Sequence, residues 1–258
     1  MRYCGVRAAS LALLIAGCGR VGFDAPSDGS DVDVASEPDL LVWLPFDDDP
    51  TDGADNRGAA STIASCLTSC PAVGNGVHAG AFVFDVASSL RLPRPPTLEL
   101  TEATVMAWIR LDAVPLPGEN FVIAGTAFGT TIKNTWEMFI HTTMNGVGPF
   151  VSTGGDANDG PFGSGPYVAI LWTPPLGTWV HLAMTWKAGA TQRIVIDGTT
   201  RMTDATFTVV YDTHDIVIGA DEQMGGVENH WRGAIDDFLI IGRELSDAEI
   251  QSLAAGPS

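Results

Sequence analysis

Short apolar segments separated by turn-forming residues run along the chain from Asp39 to its end. Within these segments apolar and polar residues alternate, which is the two-residue period of a half-buried strand, and a helical period is almost absent. The segments are residues 41–46, 81–84, 104–111, 121–124, 136–140, 167–172, 179–186, 193–196, 215–218 and 234–241. Strands of this number and length, joined mostly by short loops, predict an all-β domain in which two antiparallel sheets form a jelly-roll sandwich.

Two local motifs add detail to this pattern. Asp197-Gly198 follows the segment 193–196, and this dipeptide favours a type I′ hairpin turn because both central residues of that turn need positive φ. Near the end of the chain, Ser246-Asp247-Ala248-Glu249 has the spacing of a capping box, in which Ser and Glu satisfy free backbone N–H groups. We therefore expect a hairpin and a short C-terminal helix.

The N-terminus has the features of a targeting segment. Arg2 and Arg7 accompany the apolar run 8–17, which is too short to span about 30 Å of hydrocarbon. The run ends in Leu14-Ile15-Ala16-Gly17-Cys18, which resembles the lipobox of bacterial lipoproteins. The resemblance implies that residues 1–17 are a lipoprotein signal peptide and that Cys18 becomes lipidated, which anchors the chain in a membrane. The alternative is a buried helix start with an incidental cysteine.

Residues 18–38 have the composition of a tether. They are mostly small, polar or acidic, with almost nothing to bury, so they are expected to be flexible and to hold the domain 39–258 away from the membrane. The residue directly after Cys18 is Gly19, and not an acid that would suggest retention at the inner membrane. The expected location is the bacterial cell envelope, lipid-anchored at the outer membrane or cell surface.

The charge of the chain narrows the range of partners. It has 13 Lys and Arg against 31 Asp and Glu, a formal net charge of −18. From Asp39 onward 26 acids face 10 bases, so the predicted domain itself carries −16. A protein that grips a nucleic-acid backbone or an anionic membrane surface needs a basic face. The composition therefore argues against nucleic acid as a partner and leaves the lipid as the means of membrane attachment.

Two cysteines, Cys66 and Cys70, lie within the predicted domain. Their separation closes a small loop, and a location outside the cytoplasm allows them to oxidise. The competing interpretation is half of a zinc site, but no second pair of Cys or His lies nearby at ligand spacing. We predict a disulfide between Cys66 and Cys70.

Several segments together resemble a laminin G-like, concanavalin A-like jelly-roll domain of the kind found on exported bacterial proteins. The resemblance covers residues 39–258, and its most distinctive part is the last strand and tail, Gly233 to Phe238 and Leu245 to Ile250. The other matching stretches are residues 41–47, 80–85, 103–111, 179–186 and 196–198. The resemblance implies the same two-sheet sandwich that the alternation predicts.

The same resemblance implies a calcium site, because such domains often hold a calcium ion at the edge of the sandwich. Ca²⁺ takes six to eight oxygen ligands, usually from loops. Acids crowd at residues 47–55, and a jelly roll often brings its first and last strands together, which predicts Asp47 and Asp236 as ligands. The alternative is a solvated acidic turn, with Asp236 capping local backbone groups.

Patterns that indicate catalysis are scarce. The Glu-x-Asp-x-x-Glu arrangement of related β-glucanases, which supplies two carboxylates to a cleft, is absent. Glu137 is the one acid within a central-looking strand apart from Asp236 and Asp237, and a lone carboxylate cannot supply both catalytic roles. The five histidines are scattered singly. We therefore expect that the chain is not an enzyme.

Binding is the remaining class of function. A sugar site needs an aromatic plane and polar side chains that hydrogen-bond hydroxyl groups. Two loop-like stretches, 144–177 and 221–231, offer both, although their Trp residues have core packing as the alternative. The candidate ligand-binding residues are Asp156, Asn158, Trp172 and Trp231. The prediction is an envelope-anchored, non-catalytic domain that binds a glycan or a cell-surface protein, with Ca²⁺ as candidate cofactor. Its rivals are a glycan-active enzyme and a structural or adhesive surface protein without a small ligand.

Overall fold

The computed structural model describes residues 34–126, 135–148, 150–154, 168–204, 209–211, 213–223 and 225–255. These residues form eighteen β-strands and one α-helix. In chain order the strands are β1 (Leu40–Leu44), β2 (Ala54–Asp55), β3 (Ile63–Cys66), β4 (Ala72–Asn75), β5 (Gly80–Phe84), β6 (Leu90–Leu92), β7 (Glu102–Leu111), β8 (Asn120–Thr126), β9 (Glu137–His141), β10 (Phe150–Gly154), β11 (Val168–Leu171), β12 (Trp179–Lys187), β13 (Gln192–Ile196), β14 (Thr199–Asp204), β15 (Ile216–Ile218), β16 (Asp221–Gln223), β17 (Gly226–Glu228) and β18 (Gly233–Ile241). The helix, α1, spans Asp247–Ala254.

Two eight-stranded antiparallel sheets build the sandwich. The first has the order β14-β13-β12-β7-β18-β5-β4, and β1 pairs with the half of β18 that β5 leaves open. The second has the order β11-β10-β9-β8-β15-β6-β3-β2. A separate hairpin joins β16 to β17. The predicted all-β, concanavalin A-like jelly-roll sandwich is confirmed.

One hydrophobic core fills the space between the two sheets. Val105 and Ile109 of the first sheet and Phe121 of the second point into it and are buried. Trp136 and Trp186 stack across it, with ring centroids 6.0 Å apart. Each strand turns one face toward the opposite sheet, and this explains the alternation of apolar and polar residues in the sequence.

A second apolar cluster covers the outer face of the first sheet. α1 places Ile250 and Leu253 on that face, beside Val34 from the N-terminal side. The predicted capping box is present, since Glu249 N–H donates to Ser246 Oγ at 3.4 Å and Ser246 N–H donates to Glu249 Oε2 at 2.8 Å. The short C-terminal helix is thus confirmed, and its apolar face fixes it to the sandwich.

Residues 34–38, which the composition groups with the tether, contact the folded domain. Val34 is buried, and the Glu37 carboxylate lies 3.0 Å from the guanidinium of Arg243. Arg243 also lies 2.7 Å from Glu249 on α1. One arginine therefore ties the approach to β1 to the C-terminal helix. The predicted signal peptide, Cys18 and the tether up to residue 33 lie outside the described residues.

Two further predictions are confirmed in turns. Asp197 and Gly198, with φ of 50° and 67°, join β13 to β14 as a type I′ turn requires. Cys66 and Cys70 form a disulfide, which lies against the carbonyl groups of the turn at residues 50–51. In the portion of the chain that the structure covers, no helix is both long and apolar enough to cross a membrane.

Candidate functional site

Asp236 and Asp237 lie on the outer side of β18 because the strand bulges there. Asp236 pairs with Trp108 of β7 and Leu239 pairs with Met106, so β18 uses one residue more than β7 over this stretch. Asp237 lies in the left-handed region, with φ of 47°, which Asp tolerates better than most residues. The bulge thus brings two adjacent carboxylates to one face.

Donors from two segments, β1 and residues 77–78, hold these carboxylates. Asp236 Oδ2 accepts hydrogen bonds from the N–H groups of Val77 and His78, at 2.6 and 3.1 Å. Asp237 Oδ1 accepts from Trp43 Nε1 at 2.9 Å, and Asp237 Oδ2 lies 2.7 Å from His78 Nδ1. Residues distant in sequence therefore meet on the outer face of the first sheet, where β5 ends and β1 begins along one edge of β18. We call His78, Asp236 and Asp237 the edge cluster.

Burial and charge both act on the edge cluster. Asp236 is fully buried, and burial together with the charge of Asp237 raises its pKa to about 7. The hydrogen bond to Asp237 raises the pKa of His78, and burial opposes this rise. Among the described residues, Asp236 Oδ1 is buried without a hydrogen-bond partner. An unsatisfied carboxylate oxygen in the interior is costly, so the cluster can accept one more positively charged group.

Asp47, the other predicted calcium ligand, contacts the same turn as Asp236, residues 76–80. Its Oδ1 accepts from Gly80 N–H at 3.0 Å, and its Oδ2 lies 3.6 Å from Arg57. Both carboxylate oxygens of Asp47 are thus engaged, and Asp236 keeps one oxygen free. The two side chains therefore do not by themselves fit the shell of six to eight oxygens that Ca²⁺ takes. They act here as caps of the turn.

The outer face of the second sheet carries a row of side chains near one end of the sandwich. Asn120, His141, Phe150 and Leu171 lie directly opposite one another on β8, β9, β10 and β11. His141 and Phe150 stack with ring centroids 5.3 Å apart, and His141 Nε2 lies 3.0 Å from Ser152 Oγ. Both rings are half-buried, and Leu171 is 66% exposed. We call these five residues the ring face.

The β16–β17 hairpin covers another part of the same outer face. Val227 of the hairpin packs against the cluster formed by Val217 of β15, and Glu222 accepts two hydrogen bonds from Arg91 of β6, at 2.8 and 2.7 Å. Asp221 is buried directly opposite Glu228, and burial raises its pKa to about 6. The hairpin therefore bounds the outer face on the side away from β9, β10 and β11.

Loops at the ring-face end of the sandwich expose apolar side chains. The loop before β8 and the loop after β9 pack together, because Gly118 N–H donates to Thr142 O and Thr142 Oγ1 donates to Pro115 O, both at 2.9 Å. At their tips Leu116 is 63% exposed and Met144 is 84% exposed. An apolar rim thus adjoins the ring face.

The predicted ligand-binding residues have different outcomes. Asp156 and Asn158 lie outside the described residues. Trp172 follows β11, is half-buried and packs against the core next to Leu171 of the ring face. The prediction that Trp231 stacks on a ligand is wrong, because its side chain is fully buried between the sheets. The ring face was not predicted from the sequence, although the alternation in β9 places His141 on the side opposite the core.

Comparisons with protein families and curated proteins gave one informative result. The family model described as the concanavalin A-like lectin/glucanases superfamily matches residues 84–251. None of the curated proteins compared with the chain matches it significantly.

Solved structures share the fold at low sequence identity. Domain 4 of AbnA, a GH43 extracellular arabinanase from Geobacillus stearothermophilus, in complex with arabinotriose, is 18% identical with a TM-score of 0.59, over 84% of this chain and 99% of that one. The binding domain of botulinum neurotoxin DC in complex with rat synaptotagmin II is 12% identical with a TM-score of 0.62, over 83% and 51%. Trypanosoma rangeli sialidase is 16% identical with a TM-score of 0.59, over 83% and 32%. The match spans about half of the neurotoxin binding-domain chain and about a third of the sialidase chain.

Proposed function

Because the chain belongs to the concanavalin A-like lectin/glucanase superfamily, we propose that it is a non-catalytic, glycan-binding lipoprotein of the bacterial cell envelope. The ring face is the observation that carries the proposal. It combines two stacked rings with an exposed Leu171 and with the amide of Asn120 on one face of the sheet, while the buried Ser152 contacts His141. A sugar needs an apolar plane for its C–H groups and nearby hydrogen-bonding groups for its hydroxyls.

The chemistry of His141 suits this role. Burial lowers the pKa of His141, so its imidazole is neutral at neutral pH and offers one donor and one acceptor. Ser152 Oγ lies within hydrogen-bond distance of Nε2, which fixes the ring orientation. A neutral, fixed ring beside Phe150 suits an uncharged pyranose or furanose better than an anionic one, because the domain is acidic overall.

The anchoring part of the proposal rests on the sequence. Acyl chains on Cys18 would hold the N-terminus in a membrane, and fifteen residues separate Cys18 from the buried Val34. An extended chain covers up to about 3.5 Å per residue, so this tether reaches roughly 50 Å. That length allows the domain to stand clear of the lipid headgroups. The proposed location is the outer membrane or the cell surface.

Engaged carboxylates support a non-catalytic role. A glycosidase places two carboxyl groups on either side of the scissile bond. In the edge cluster, three of the four carboxylate oxygens of Asp236 and Asp237 already contact backbone N–H groups, Trp43 or His78. Glu137 is buried in β9. The enzyme alternative therefore has to draw its pair of acids from elsewhere in the fold.

A protein partner is the second candidate, and the apolar rim is the observation that favours it. Leu116 and Met144 of the rim are each more than half exposed, and adjacent exposed apolar side chains are typical of interaction sites. The neurotoxin binding domain with this fold was solved in complex with rat synaptotagmin II. An adhesive surface protein without a small ligand would use this rim rather than the ring face.

Glycan-array binding of the full-length chain, purified in detergent, tests the proposal. Phe150→Ala is expected to weaken binding about tenfold, which corresponds to about 1.4 kcal/mol of lost stacking. Val73→Ala is the matched control, because Val73 is an exposed apolar residue on the distant edge strand β4. The same array is repeated after calcium chelation, which tests the calcium dependence that the family resemblance implies.

The outcomes separate the candidates. Binding that Phe150→Ala weakens and Val73→Ala does not supports the ring face. Binding with release of new reducing ends from the glycan supports the enzyme alternative instead. If the folded chain gives no signal on any glycan, the proposal fails and the apolar rim becomes the surface to test with protein partners.

A further inference from the structure

We propose that the edge cluster is a binding site for a divalent transition-metal ion of the zinc class, with His78, Asp236 and Asp237 as ligands. This inference departs from the calcium expected at Asp47 and Asp236, and it does not depend on glycan binding. The cluster offers one imidazole nitrogen and two carboxylate oxygens, and these three ligand atoms lie within 4.8 Å of one another. Mixed nitrogen and oxygen donors of this kind are typical of zinc and its neighbours.

The distances require only small side-chain movements. Zinc lies about 2.0 to 2.2 Å from His nitrogen and carboxylate oxygen, so two ligands of one ion are at most about 4.3 Å apart. His78 Nδ1 and Asp237 Oδ2 are 2.7 Å apart and have to separate slightly, while the widest pair in the cluster has to close by a few tenths of an ångström. Rotation about the side-chain bonds supplies both movements.

One carboxylate oxygen of Asp236 is already unsatisfied. Asp236 is fully buried, and its Oδ1 has no hydrogen-bond partner in the described part of the chain. Its neighbour Asp237 carries a second carboxylate on the same face. Metal ligation requires a deprotonated imidazole and ionised carboxylates, and in that state the cluster carries a charge of about −2, which one divalent ion neutralises. The His78 side chain is 20% exposed and leaves a path from solvent.

The surroundings orient the ligands as an outer coordination shell does. Trp43 Nε1 donates to the oxygen of Asp237 that faces away from His78, and two backbone N–H groups fix the other oxygen of Asp236. The His78 ring also hydrogen-bonds the backbone of Ala255. A His ligand commonly donates its second ring N–H to a carbonyl in this way, which leaves the other nitrogen free for the metal.

Calcium fits this donor set poorly. Ca²⁺ takes oxygen ligands and no imidazole, and both oxygens of Asp47 already contact Gly80 and Arg57. The edge cluster instead has an imidazole nitrogen as one of its three donors. Water completes the shell of a zinc-class ion in such a site.

Metal titration of the full-length chain, stripped of metal with a chelator and purified in detergent, tests this inference. Isothermal titration with Zn²⁺ is expected to give about one tight site per chain, and Co²⁺ is expected to give a visible spectrum with nitrogen ligation. His78→Gln and Asp237→Asn should each weaken Zn²⁺ binding about 10- to 100-fold. His230→Gln is the matched control, because His230 is outside the cluster and lies near the carbonyl of Ser88.

A second variant keeps the test decisive if these substitutions disturb folding. His78→Asp replaces the nitrogen donor with oxygens. The variant should therefore prefer Zn²⁺ over Ca²⁺ less strongly than the wild-type chain does. The proposal is overturned if the folded wild-type chain binds no Zn²⁺ stoichiometrically. It is also overturned if Zn²⁺ binds equally well to His78→Gln, or if Ca²⁺ displaces Zn²⁺ at equal concentration.

Discussion

At the scale of single residues, Trp231 shows how a loop-like sequence can carry a core side chain. It ends a stretch rich in Gly and polar residues, which favours an exposed position. In the structure Trp231 N–H donates to Gly219 O at 2.8 Å, and this bond returns the chain to the sandwich just before β18. The indole therefore enters the core, where its Nε1 has no hydrogen-bond partner among the described residues.

Replacement of Trp231 should be among the most damaging core changes. Trp231→Ala removes a fully buried indole, which typically lowers the free energy of unfolding by about 3 to 5 kcal/mol. Trp172→Ala is the comparison, and a smaller loss is expected because that ring is half-buried. Urea unfolding of both variants, followed by circular dichroism, measures the difference. Equal losses would contradict the assignment of Trp231 to the core.

Asp221 makes stability depend on pH. Burial raises its folded pKa from 3.8 to about 6, so its ionised form costs stability above about pH 6, and protonation relieves this cost as the pH falls toward 4. Asp221→Asn should therefore stabilise the chain by roughly 1 to 3 kcal/mol at about pH 8 and by little at about pH 4. Urea unfolding at both values tests this, with the exposed Asp55→Asn as control. An equal effect of Asp221→Asn at both pH values would contradict it.

At the scale of elements, the long strands could be predicted and the short ones could not. β7, β12 and β18 have nine or ten residues each and are buried along almost their whole length, so their long apolar runs identify them. β16 and β17 have three residues each and are mostly polar, so they are strands only because they pair with one another. β10 lies in a Gly-rich stretch that indicates a loop, and its pairing with β9 creates the ring face.

The bulge of β18 is another feature that a pattern cannot reveal. In a regular strand Asp236 and Asp237 would point to opposite faces, and a prediction from alternation therefore assigns them different environments. The register shift against β7 brings both to the outer face. The edge cluster depends on that shift and on a turn, residues 76–80, that is far away in sequence.

The capping box of α1 should be worth a measurable part of the stability. Ser246→Ala removes the hydroxyl that accepts from Glu249 N–H and should lower the free energy of unfolding by about 1 kcal/mol. Ser246→Thr keeps the oxygen and should restore most of the loss. Thermal unfolding of the three chains tests this, and an equal loss in both variants would contradict a capping role.

At the scale of the whole molecule, several of the acidic residues form ion pairs that hold segments of the domain together. The domain from residue 39 has 26 acids and 10 bases, and two of the arginines each serve several acids. Arg193 contacts Glu244 and Asp247, and Arg243 contacts Glu37 and Glu249. The charge count predicts the acidic surface, but it does not predict that both arginines lie beside α1. Nor does it predict that Arg243 also holds residues 34–38, the N-terminal approach to β1.

Loss of the Arg243 hub should loosen the N-terminal approach. Arg243→Ala leaves the buried carboxylate of Glu37 without its partner, which costs about 1 to 3 kcal/mol. Hydrogen exchange of the amides in residues 34–38 should speed up more than exchange in β7. Arg57→Ala is the control, since Arg57 pairs with the more exposed Asp47 and Asp48. Uniform acceleration across the domain would contradict a local role.

The pairing of β1 with β18 also has a mechanical meaning. Leu40, where the N-terminal approach enters β1, pairs with Ile241, whereas the ring face and apolar rim lie toward Gly233 at the other end of β18. If a surface-bound ligand pulls on that far end while a lipid holds the near one, the force runs along the strands. Such a load shears all bonds of the β1–β18 ladder together rather than unzipping them singly. Force spectroscopy should therefore show a high rupture force along this axis, as expected of a domain that resists tension.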